Sequence, residues 1–161
     1  MAEKKLVIAM VGLPASGKSS VASKIKQCLA AEGLAVQVFN NGDVRREICG
    51  GRETACAAFY SPENNEGVAM REKIARINME RAAKFLDGEG QVAVLDATNV
   101  SSRRRQAIRS FFWGLPVFFV ECVNTDPELL EASISRKAAL PEFALFDPAE
   151  AQESFRQRIR Y

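Results

Sequence analysis

The chain has 161 residues, and its content of 47% hydrophobic and 26% charged residues is ordinary for a globular protein with a buried core. The net charge is only +2, so no overall field favours a nucleic-acid or a membrane partner. Histidine is absent, which excludes histidine-based zinc sites, serine–histidine nucleophile pairs and a phosphohistidine intermediate. From this length we expect residues 1–161 to form one domain.

The cysteines and the apolar stretches bear on the compartment in which the protein works. The four cysteines, which show no paired metal-ligand spacing, are Cys28, Cys49, Cys56 and Cys122. This usage favours reduced thiols inside the cell. The sequence contains no apolar stretch long enough to cross a membrane. We therefore expect a cytoplasmic protein, and the sequence leaves its oligomeric state open.

The first predicted element is a strand that leads into a phosphate-binding loop. Residues 6–11 are apolar without a break, as in a strand buried on both faces of a parallel sheet. Gly12, Gly17, Lys18 and Ser19 then fit the spacing Gly-x-x-x-x-Gly-Lys-Ser of a nucleotide-binding loop. In such a loop the backbone N–H groups and a helix N-terminus face phosphates, the lysine reaches the β- and γ-phosphates of ATP, and the serine hydroxyl ligates Mg²⁺. The predicted nucleotide contacts are Gly12, Leu13, Pro14, Ala15, Ser16, Gly17, Lys18, Ser19 and Ser20.

Helices and strands alternate through the rest of the chain. Predicted helices cover residues 21–31, 65–87 and 101–112, and others begin near Val44, at Asp126-Pro127 and at Asp147-Pro148. Predicted strands cover residues 35–39, 91–96 and 116–123. The alternation predicts a three-layer α/β fold. We interpret it as a phosphate-loop kinase domain with a mainly parallel sheet of about four strands flanked by helices.

Parallel strands place their carboxyl ends at one edge of the sheet, and ligands of such sheets bind there. The residues expected at this edge are Gly12, Asn40, Asp96 and Cys122. Asp96 closes an apolar strand, as does the acid that holds Mg²⁺ in phosphate-loop enzymes, although an ordinary turn or helix cap is the alternative. Ser19 and Asp96 are therefore the predicted metal ligands.

The positive charge changes character along the chain. Residues 1–40 contain five lysines and no arginine, whereas the remainder contains fourteen arginines and three lysines. Arginine binds phosphate through a planar fork of donors, so an anionic second substrate is indicated. Helical phase puts Arg104 on the same face as Ile108, with Arg103 out of phase, and puts Arg71 at the edge of an apolar stripe. An arginine on an apolar face needs an anion or a carboxylate partner.

Several stretches together resemble the kinase domain of the 6-phosphofructo-2-kinase/fructose-2,6-bisphosphatase family. They are residues 12–18, 38–47, 59–66 with Arg71, 90–99, 103–105, 117–121 and Asp126-Pro127. The phosphate loop and the Asp-Ala-Thr-Asn run at 96–99 also occur in other kinases of small molecules and polynucleotides. The stretch from residue 38 to Arg71 is the part that indicates this family.

The resemblance implies roles for individual residues. Lys18, Asp96 and Lys137 match catalytic positions, where Lys137 stabilises the phosphoryl group in transfer. The positions that match contacts to the sugar phosphate are Arg45, Arg71, Thr98, Arg104, Arg158 and Tyr161. Three features depart from the family pattern: Ser16 replaces an arginine, Ser133 replaces an asparagine associated with the nucleotide base, and the sequence ends before the family's last kinase strand. We expect weak discrimination between ATP and GTP from the last two.

The favoured function is transfer of the γ-phosphoryl group of Mg·ATP to a sugar phosphate, with fructose 6-phosphate as the expected acceptor and fructose 2,6-bisphosphate as the product. One alternative is a kinase of another small molecule, of the adenylylsulfate type, or of a polynucleotide 5′-hydroxyl. Another is a binding module for nucleotide and sugar phosphate that does not turn over. Retention of Lys18, Ser19 and Asp96 favours the enzymes over the binding module.

The absence of histidine predicts the outcome for the second activity in the family's name. We expect no bisphosphatase domain within residues 1–161, and a chain without histidine cannot form a phosphohistidine. The pure chain is therefore expected to release no inorganic phosphate from fructose 2,6-bisphosphate. A phosphate-release assay checks this, and release above the protein-free blank would contradict it.

Overall fold

The computed structural model describes residues 4–161 as a four-stranded parallel sheet with helices on both faces. The strands, in the spatial order β2-β3-β1-β4, are β1 (Leu6–Val11), β2 (Val36–Asn40), β3 (Val92–Asp96) and β4 (Val117–Glu121). The helices are α1 (Lys18–Ala31), α2 (Asn41–Cys49), α3 (Asn65–Asp87), α4 (Ser102–Phe111), α5 (Pro127–Ala138) and α6 (Pro148–Arg160). Two short 3₁₀ helices cover Ala57–Tyr60 and Pro141–Phe143. Within the described residues, no helix is both long and apolar enough for a membrane crossing.

The strand order places β1 and β3 at the centre of the sheet. Every residue of β3 is buried, and both of its neighbours pair with it in parallel, with Leu6 opposite Val92 and Asn40 opposite Asp96. The chain passes from β1 to β2 across the position of β3, whereas β4 lies on the other side of β1. This reversal of direction is a topological switch point, where ligands bind at the carboxyl ends of the strands. The predicted parallel sheet is confirmed, and the carboxyl ends of its strands lie at one edge as expected.

Apolar clusters on the two faces of the sheet confirm the three layers. On one face, Ala82 and Leu86 of α3 and Ile108 of α4 pack against β1 and β3. On the other face, Ala22 of α1 packs against Met10 and its neighbours. The helices on each face exclude water from that side of the sheet. A strand that is buried on both faces is apolar along its length, and β3 is apolar at every residue except its last.

The buried face of α1 differs from the predicted one. The apolar spacing within residues 21–31 predicts a buried face made of Val21, Ile25, Cys28 and Leu29, but Val21 is 38% exposed and Cys28 is exposed. The buried phase instead begins with Lys18 and Ala22 and continues through Ile25 and Leu29. The phosphate loop fixes this phase, because it turns the first residue of the helix inward toward the strand ends.

Side-chain caps set where the other helices begin. Asn40 accepts hydrogen bonds from the backbone of Gly42 and Asp43, so α2 begins at Asn41 and not near Val44 as predicted. The predicted caps Asp126 and Asp147 each accept two backbone hydrogen bonds at the starts of α5 and α6. Ser101 caps α4 in the same way.

The last part of the chain forms a unit that we call the C-terminal helical segment (residues 127–161). Its helices α5 and α6 enclose an apolar cluster with Phe143 of the second 3₁₀ helix. Two residues from outside the segment complete the cluster: Ala15 of the phosphate loop and Ala55. The segment is thereby attached to the loop that follows β1.

A buried asparagine joins α3 to the carboxyl end of β2. The amide nitrogen of Asn78 donates to the carbonyl of Phe39 at 2.9 Å and to Oδ1 of Asn41 at 2.7 Å. Removing the donor leaves the buried carbonyl of Phe39 and the half-buried amide oxygen of Asn41 without this partner. Asn78→Ala is therefore expected to lower the free energy of unfolding by about 1–3 kcal/mol in urea denaturation. Arg76→Ala, which breaks only an exposed ion pair on the same helix, is the control and should cost a few tenths of a kcal/mol. Equal losses for the two variants would contradict the role of Asn78.

Candidate active site

A cavity of about 530 Å³ opens at the carboxyl ends of β1, β2 and β3. The predicted site residues that line it are Lys18, Ser19, Arg45, Arg71, Asp96, Thr98, Arg104, Lys137, Arg158 and Tyr161. Of the remaining loop residues, Leu13 and Pro14 also line it, whereas Gly12 and Ala15 are buried beneath the surface. Ser16, Gly17 and Ser20 are not part of its lining. All the predicted catalytic and acceptor residues thus meet in one place.

Glycine at position 12 lets the loop turn tightly beneath the cavity. A Cβ atom there would lie 2.6 Å from the carbonyl oxygen of Cys122 and 2.6 Å from Oγ of Ser16, which no real side chain tolerates. The backbone N–H of Gly12 donates to the carbonyl of Thr98 at 2.9 Å, which ties the loop to the end of β3. Gly17 has φ 88°, the left-handed conformation that turns the chain into α1.

The N-terminus of α1 is left open for an anion. The helix has no side-chain cap and no acidic residue in its first turn, in contrast to the capped starts of α2 to α6. Ser16 adds a buried hydroxyl that has no hydrogen-bond partner. Unsatisfied donors around a glycine cradle fit the phosphates of ATP.

Lys18 carries a charge into this buried loop. Its side chain is 9% exposed, and Nζ donates to the carbonyl of Leu13 at 2.8 Å. Burial lowers the pKa of Lys18 to about 8, while the negative charge of Asp96 opposes that shift and the nearby charge of Lys137 adds to it. An anion bound in front of Lys18 would restore the charged form that burial disfavours.

Asp96 collects two hydrogen bonds on one oxygen. The Ser19 hydroxyl donates to Oδ2 at 2.7 Å, and the amide of Asn40 donates to the same oxygen at 2.8 Å. Asp96 is 4% exposed, so its position is fixed by the ends of β2 and β3 together. A serine hydroxyl beside a carboxylate is a donor set that fits Mg²⁺, which takes few protein ligands and completes its shell with phosphate and water. Among residues 4–161, no group of three or more acidic or thiol ligands forms an alternative metal centre.

The arginines of the cavity are held in two different ways, and the first uses carboxylates. Arg45 is 6% exposed and donates to Glu142 at 2.5 Å and to the carbonyl of Thr54 at 2.8 Å. Arg104 forms an ion pair with Glu72, whose side chain is 64% exposed. The predicted inward orientation of Arg104 is what the structure has, and Arg103 is exposed.

The second way uses aromatic rings. Arg158 lies with its Cζ 3.7 Å from the centre of the Tyr60 ring and 4.7 Å from that of Phe155. Arg71 donates to the carbonyl of Phe59, and its Cζ lies 6.0 Å from the Tyr60 ring centre. Burial lowers the pKa of both arginines, and within residues 4–161 neither forms an ion pair with a carboxylate. Because no carboxylate of the described residues pairs with these two arginines, their positive charge is available to an anionic ligand.

Lys137 completes the positive lining from the end of α5. It is half-buried, and burial lowers its pKa, assisted by the charges of Arg158 and Arg46 and opposed by that of Asp96. Tyr161, at the end of the chain, lines the same cavity and is 50% exposed. Both residues therefore line the same cavity as the phosphate loop.

Some features of the site were not predicted from the sequence. Asn40 was expected at the carboxyl edge of the sheet, but the hydrogen bond from its amide to Asp96 was not predicted. Glu142 and Tyr60 were not singled out, and both contact predicted arginines. Asn99, expected beside the transferred group, is buried and donates to the carbonyl of Met10 at 2.9 Å. In the sequence, these residues are visible only as polar residues within aromatic or proline-containing stretches. Such a pattern does not identify a contact partner that is distant in the chain.

Comparison with solved structures defines the class of protein. The fold is similar to that of the APS kinase of Mycobacterium tuberculosis in complex with AMPPNP and APS, with a TM-score of 0.60 and 21% identity over 88% of this chain and 72% of that chain. A chain of the Pnkp1/Rnl/Hen1 RNA repair complex gives a TM-score of 0.59 at 17% identity, over 98% of this chain and 45% of that one. The protein has the fold of the phosphate-loop kinases.

Sequence comparison narrows the class to a family. Residues 1–161 match the family described as 6-phosphofructo-2-kinase. 6-Phosphofructo-2-kinase/fructose-2,6-bisphosphatase 4 of Rattus norvegicus is 38% identical over 157 residues, which are 95% of this chain and 33% of that protein. The corresponding Caenorhabditis elegans protein is 37% identical over 161 residues, 95% of this chain and 35% of that protein. The chain belongs to the 6-phosphofructo-2-kinase family of enzymes, as the resemblance indicated, and it spans about a third of the length of these relatives.

The lowered pKa of Lys18 predicts a pH dependence of stability. The pKa falls from 10.5 to about 8 on folding, so the unfolded chain binds this proton more tightly. The cost of burying the charge is present in full below pH 8 and is lifted as pH rises toward 10.5. Lys18→Met removes the titrating group. The unfolding free energy of the wild type, relative to Lys18→Met, should therefore increase by about 2 kcal/mol between pH 7 and pH 10.

Urea denaturation of both proteins at several pH values, in buffer without nucleotide or divalent metal, checks the shift. Comparing the two proteins removes the contributions of all other titrating groups. Parallel stability curves for the wild type and Lys18→Met would mean that the Lys18 amine is solvated and titrates normally.

Proposed function

We propose that this protein transfers the γ-phosphoryl group of Mg·ATP to a sugar phosphate, with the 2-hydroxyl of fructose 6-phosphate as the acceptor. The observation that carries the proposal is the charge of the cavity. Seven cationic side chains line it (Lys18, Arg45, Arg46, Arg71, Arg104, Lys137 and Arg158), against two carboxylates, Asp96 and Glu142. The nucleotide loop accounts for Lys18. The excess of arginine beyond it favours an acceptor that carries its own phosphate.

The proposed chemistry is positioning and neutralisation of charge. Phosphoryl transfer passes through a loose transition state with charge spread over the equatorial oxygens, so little covalent work is required of the protein. The open N-terminus of α1 and the amine of Lys18 bind the nucleotide phosphates. Ser19 and Asp96 would hold Mg²⁺, which would supply neutralisation of the phosphate charge.

The acceptor side is supplied by the rest of the lining. Lys137 lies close enough to Lys18 for its charge to contribute to the lowered pKa of Lys18, which suits a group that stabilises the phosphoryl group during transfer. Thr98 follows directly after Asp96 and Ala97 on the carboxyl edge of the sheet. Arg45, Arg71, Arg104 and Arg158 bind the acceptor phosphate in this proposal, with Tyr161 at the rim. Fixing both substrates in this way turns a two-body reaction into an oriented one.

An ADP-release assay with a panel of acceptors tests the reaction. Fructose 6-phosphate is expected to give turnover, and Lys18→Ala to abolish it without unfolding, because Lys18 contacts phosphate from a loop. Adenylylsulfate and an oligonucleotide with a 5′-hydroxyl represent the acceptors of the fold neighbours. Turnover with one of these alone would replace the sugar phosphate, and binding of both substrates without ADP release would make the protein a binding module.

Substitution of the cavity arginines is expected to affect the KM for the acceptor and the Kd for ATP differently. Arg71→Ala and Arg104→Ala are each expected to raise the KM for fructose 6-phosphate about tenfold to a hundredfold, because each removes a forked contact to phosphate. The Kd for ATP should stay near that of the wild type. Arg71→Lys and Arg104→Lys should recover only part of the loss, since an ammonium group keeps the charge without the fork.

Arg103→Ala is the matched control for Arg104→Ala. Arg103 lies on the same helix turn but is exposed, and it does not line the cavity. It is expected to leave both constants unchanged. Equal losses in the Arg103 and Arg104 variants, or an ATP affinity that falls with that of the acceptor, would place the acceptor site elsewhere.

A further inference from the structure

We infer that Tyr60 is a positioning residue: its ring holds Arg158 by the face of the guanidinium group and lies beside Arg71, and it orients both cations toward the acceptor phosphate without taking a hydrogen bond from either. This inference rests on the proposed function for the identity of the acceptor. Tyr60 lines the cavity at the end of the 3₁₀ helix Ala57–Tyr60. Neither composition nor helical phase identified it.

The geometry places one ring between two cations. Cζ of Arg158 lies 3.7 Å from the centre of the Tyr60 ring, within stacking distance, and Cζ of Arg71 lies 6.0 Å from it. Phe59 fixes the ring from a third side, because the two rings meet edge to face with centres 5.1 Å apart at 89°. Phe59 itself is 9% exposed and belongs to a buried cluster with Val44 and Ile74. The ring is therefore held by the core, and the arginines are held by the ring.

Arg45 shows what the alternative arrangement costs. Its guanidinium donates to Glu142 and to Thr54, so its N–H groups are occupied inside the protein. A phosphate that binds Arg45 must compete with a carboxylate. A ring face attracts the guanidinium through its quadrupole and takes no hydrogen bond from the N–H edge. Arg158 makes no carboxylate contact within the described residues, and its Nε is buried without a partner.

The electrostatics of the cavity explain why an aromatic ring suits these arginines better than additional carboxylates. Burial lowers the pKa of Arg158 and of Arg71, and a neighbouring charge adds to each shift: that of Arg45 at Arg158 and that of Arg104 at Arg71. Two more carboxylates would relieve this repulsion, but they would also cancel the field that attracts the acceptor. An aromatic ring stabilises both cations and leaves the net charge of the cavity unchanged.

Substitutions that preserve the shape of the Tyr60 ring distinguish its role in positioning the arginines from a role in packing alone. Tyr60→Phe keeps the ring and should retain the affinity for fructose 6-phosphate within about twofold. Replacing Tyr60 with phenylalanines of increasing fluorination weakens the quadrupole at nearly constant volume. Affinity measured by calorimetry should then fall stepwise, by about threefold to thirtyfold for the most fluorinated ring, while the Kd for ATP stays constant. A flat series would overturn the inference, because a ring that only packs does not respond to its quadrupole.

The chain contains a matched control at a distance from the cavity. Arg109 lies over the ring of Phe119 with Cζ 5.3 Å from the centre, and neither residue lines the site. The same fluorinated rings at Phe119 should change neither affinity. Loss of acceptor affinity in this series as well would mean that the substitutions act through general stability, and it would overturn the inference.

Two further measurements keep this inference separable from the proposed function. If the wild type does not bind fructose 6-phosphate, the proposed acceptor is wrong, and the same series is then run with inorganic phosphate; a stepwise fall supports the role of Tyr60, and a flat series or no binding overturns it. The Nε–Hε resonances of Arg71 and Arg158 report the ring without any ligand. They should carry a ring-current shift that Tyr60→Leu reduces, most strongly at Arg158, while the rings of Phe155 and Phe59 supply the remainder. A shift that Tyr60→Leu leaves unchanged would also overturn the inference.

Discussion

The candidate site depends on one buried carboxylate that two strands and a helix share. Asp96 ends β3, Asn40 ends the neighbouring β2, and Ser19 is the second residue of α1. Asn40 and Ser19 donate to the same oxygen of Asp96. The parallel register sets Asn40 opposite Asp96, so these hydrogen bonds follow from the pairing of the strands. The negative charge also supports the protonated form of Lys18 against the effect of burial. A slip of one residue in β3 would turn Asp96 away and leave a buried cation without a counter-charge.

Much of the fold was predictable because its signals are local. The apolar runs of β1 and β3, the Gly-Lys-Ser of the loop, and the Asp-Pro starts of α5 and α6 each specify a backbone conformation within a few residues. The strand-end rule then placed Asp96 beside the loop before any contact was known. Helical phase located Arg104 correctly because α4 is regular and its apolar face is narrow. The burial of α1 was not predicted correctly, since the loop and not the apolar pattern sets its phase.

The partners of the arginines were not predictable, and the reason is their separation in sequence. Glu142 reaches Arg45 across 97 positions, and Arg158 stacks on a tyrosine that is slightly farther away in the sequence. No periodicity connects residues on different elements, and a glutamate after a proline reads as a simple helix start. The family resemblance supplied Arg158 and Lys137 as positions but gave no physical reason for them. The structure adds the reason in the form of rings, carboxylates and burial around each charge.

The positive cavity also needs a source of stability that is not electrostatic. Burial lowers the pKa of Lys137, and the charges of Arg158 and Arg46 add to that shift. The charge of Lys137 in turn adds to the effect of burial on Lys18, so like charges in the cavity repel one another. What opposes the repulsion is the apolar cluster of the C-terminal helical segment, in which Ala15 of the phosphate loop packs with Ile134 and Phe155. The cluster presses the segment that carries Lys137 onto the loop that carries Lys18, and hydrophobic burial does not weaken with ionic strength as the repulsion does. An anionic ligand between the two would turn this repulsion into attraction. The packing therefore holds the cations of the cavity in place for a phosphate. Binding of phosphate is then expected to stabilise both the phosphate loop and the C-terminal helical segment.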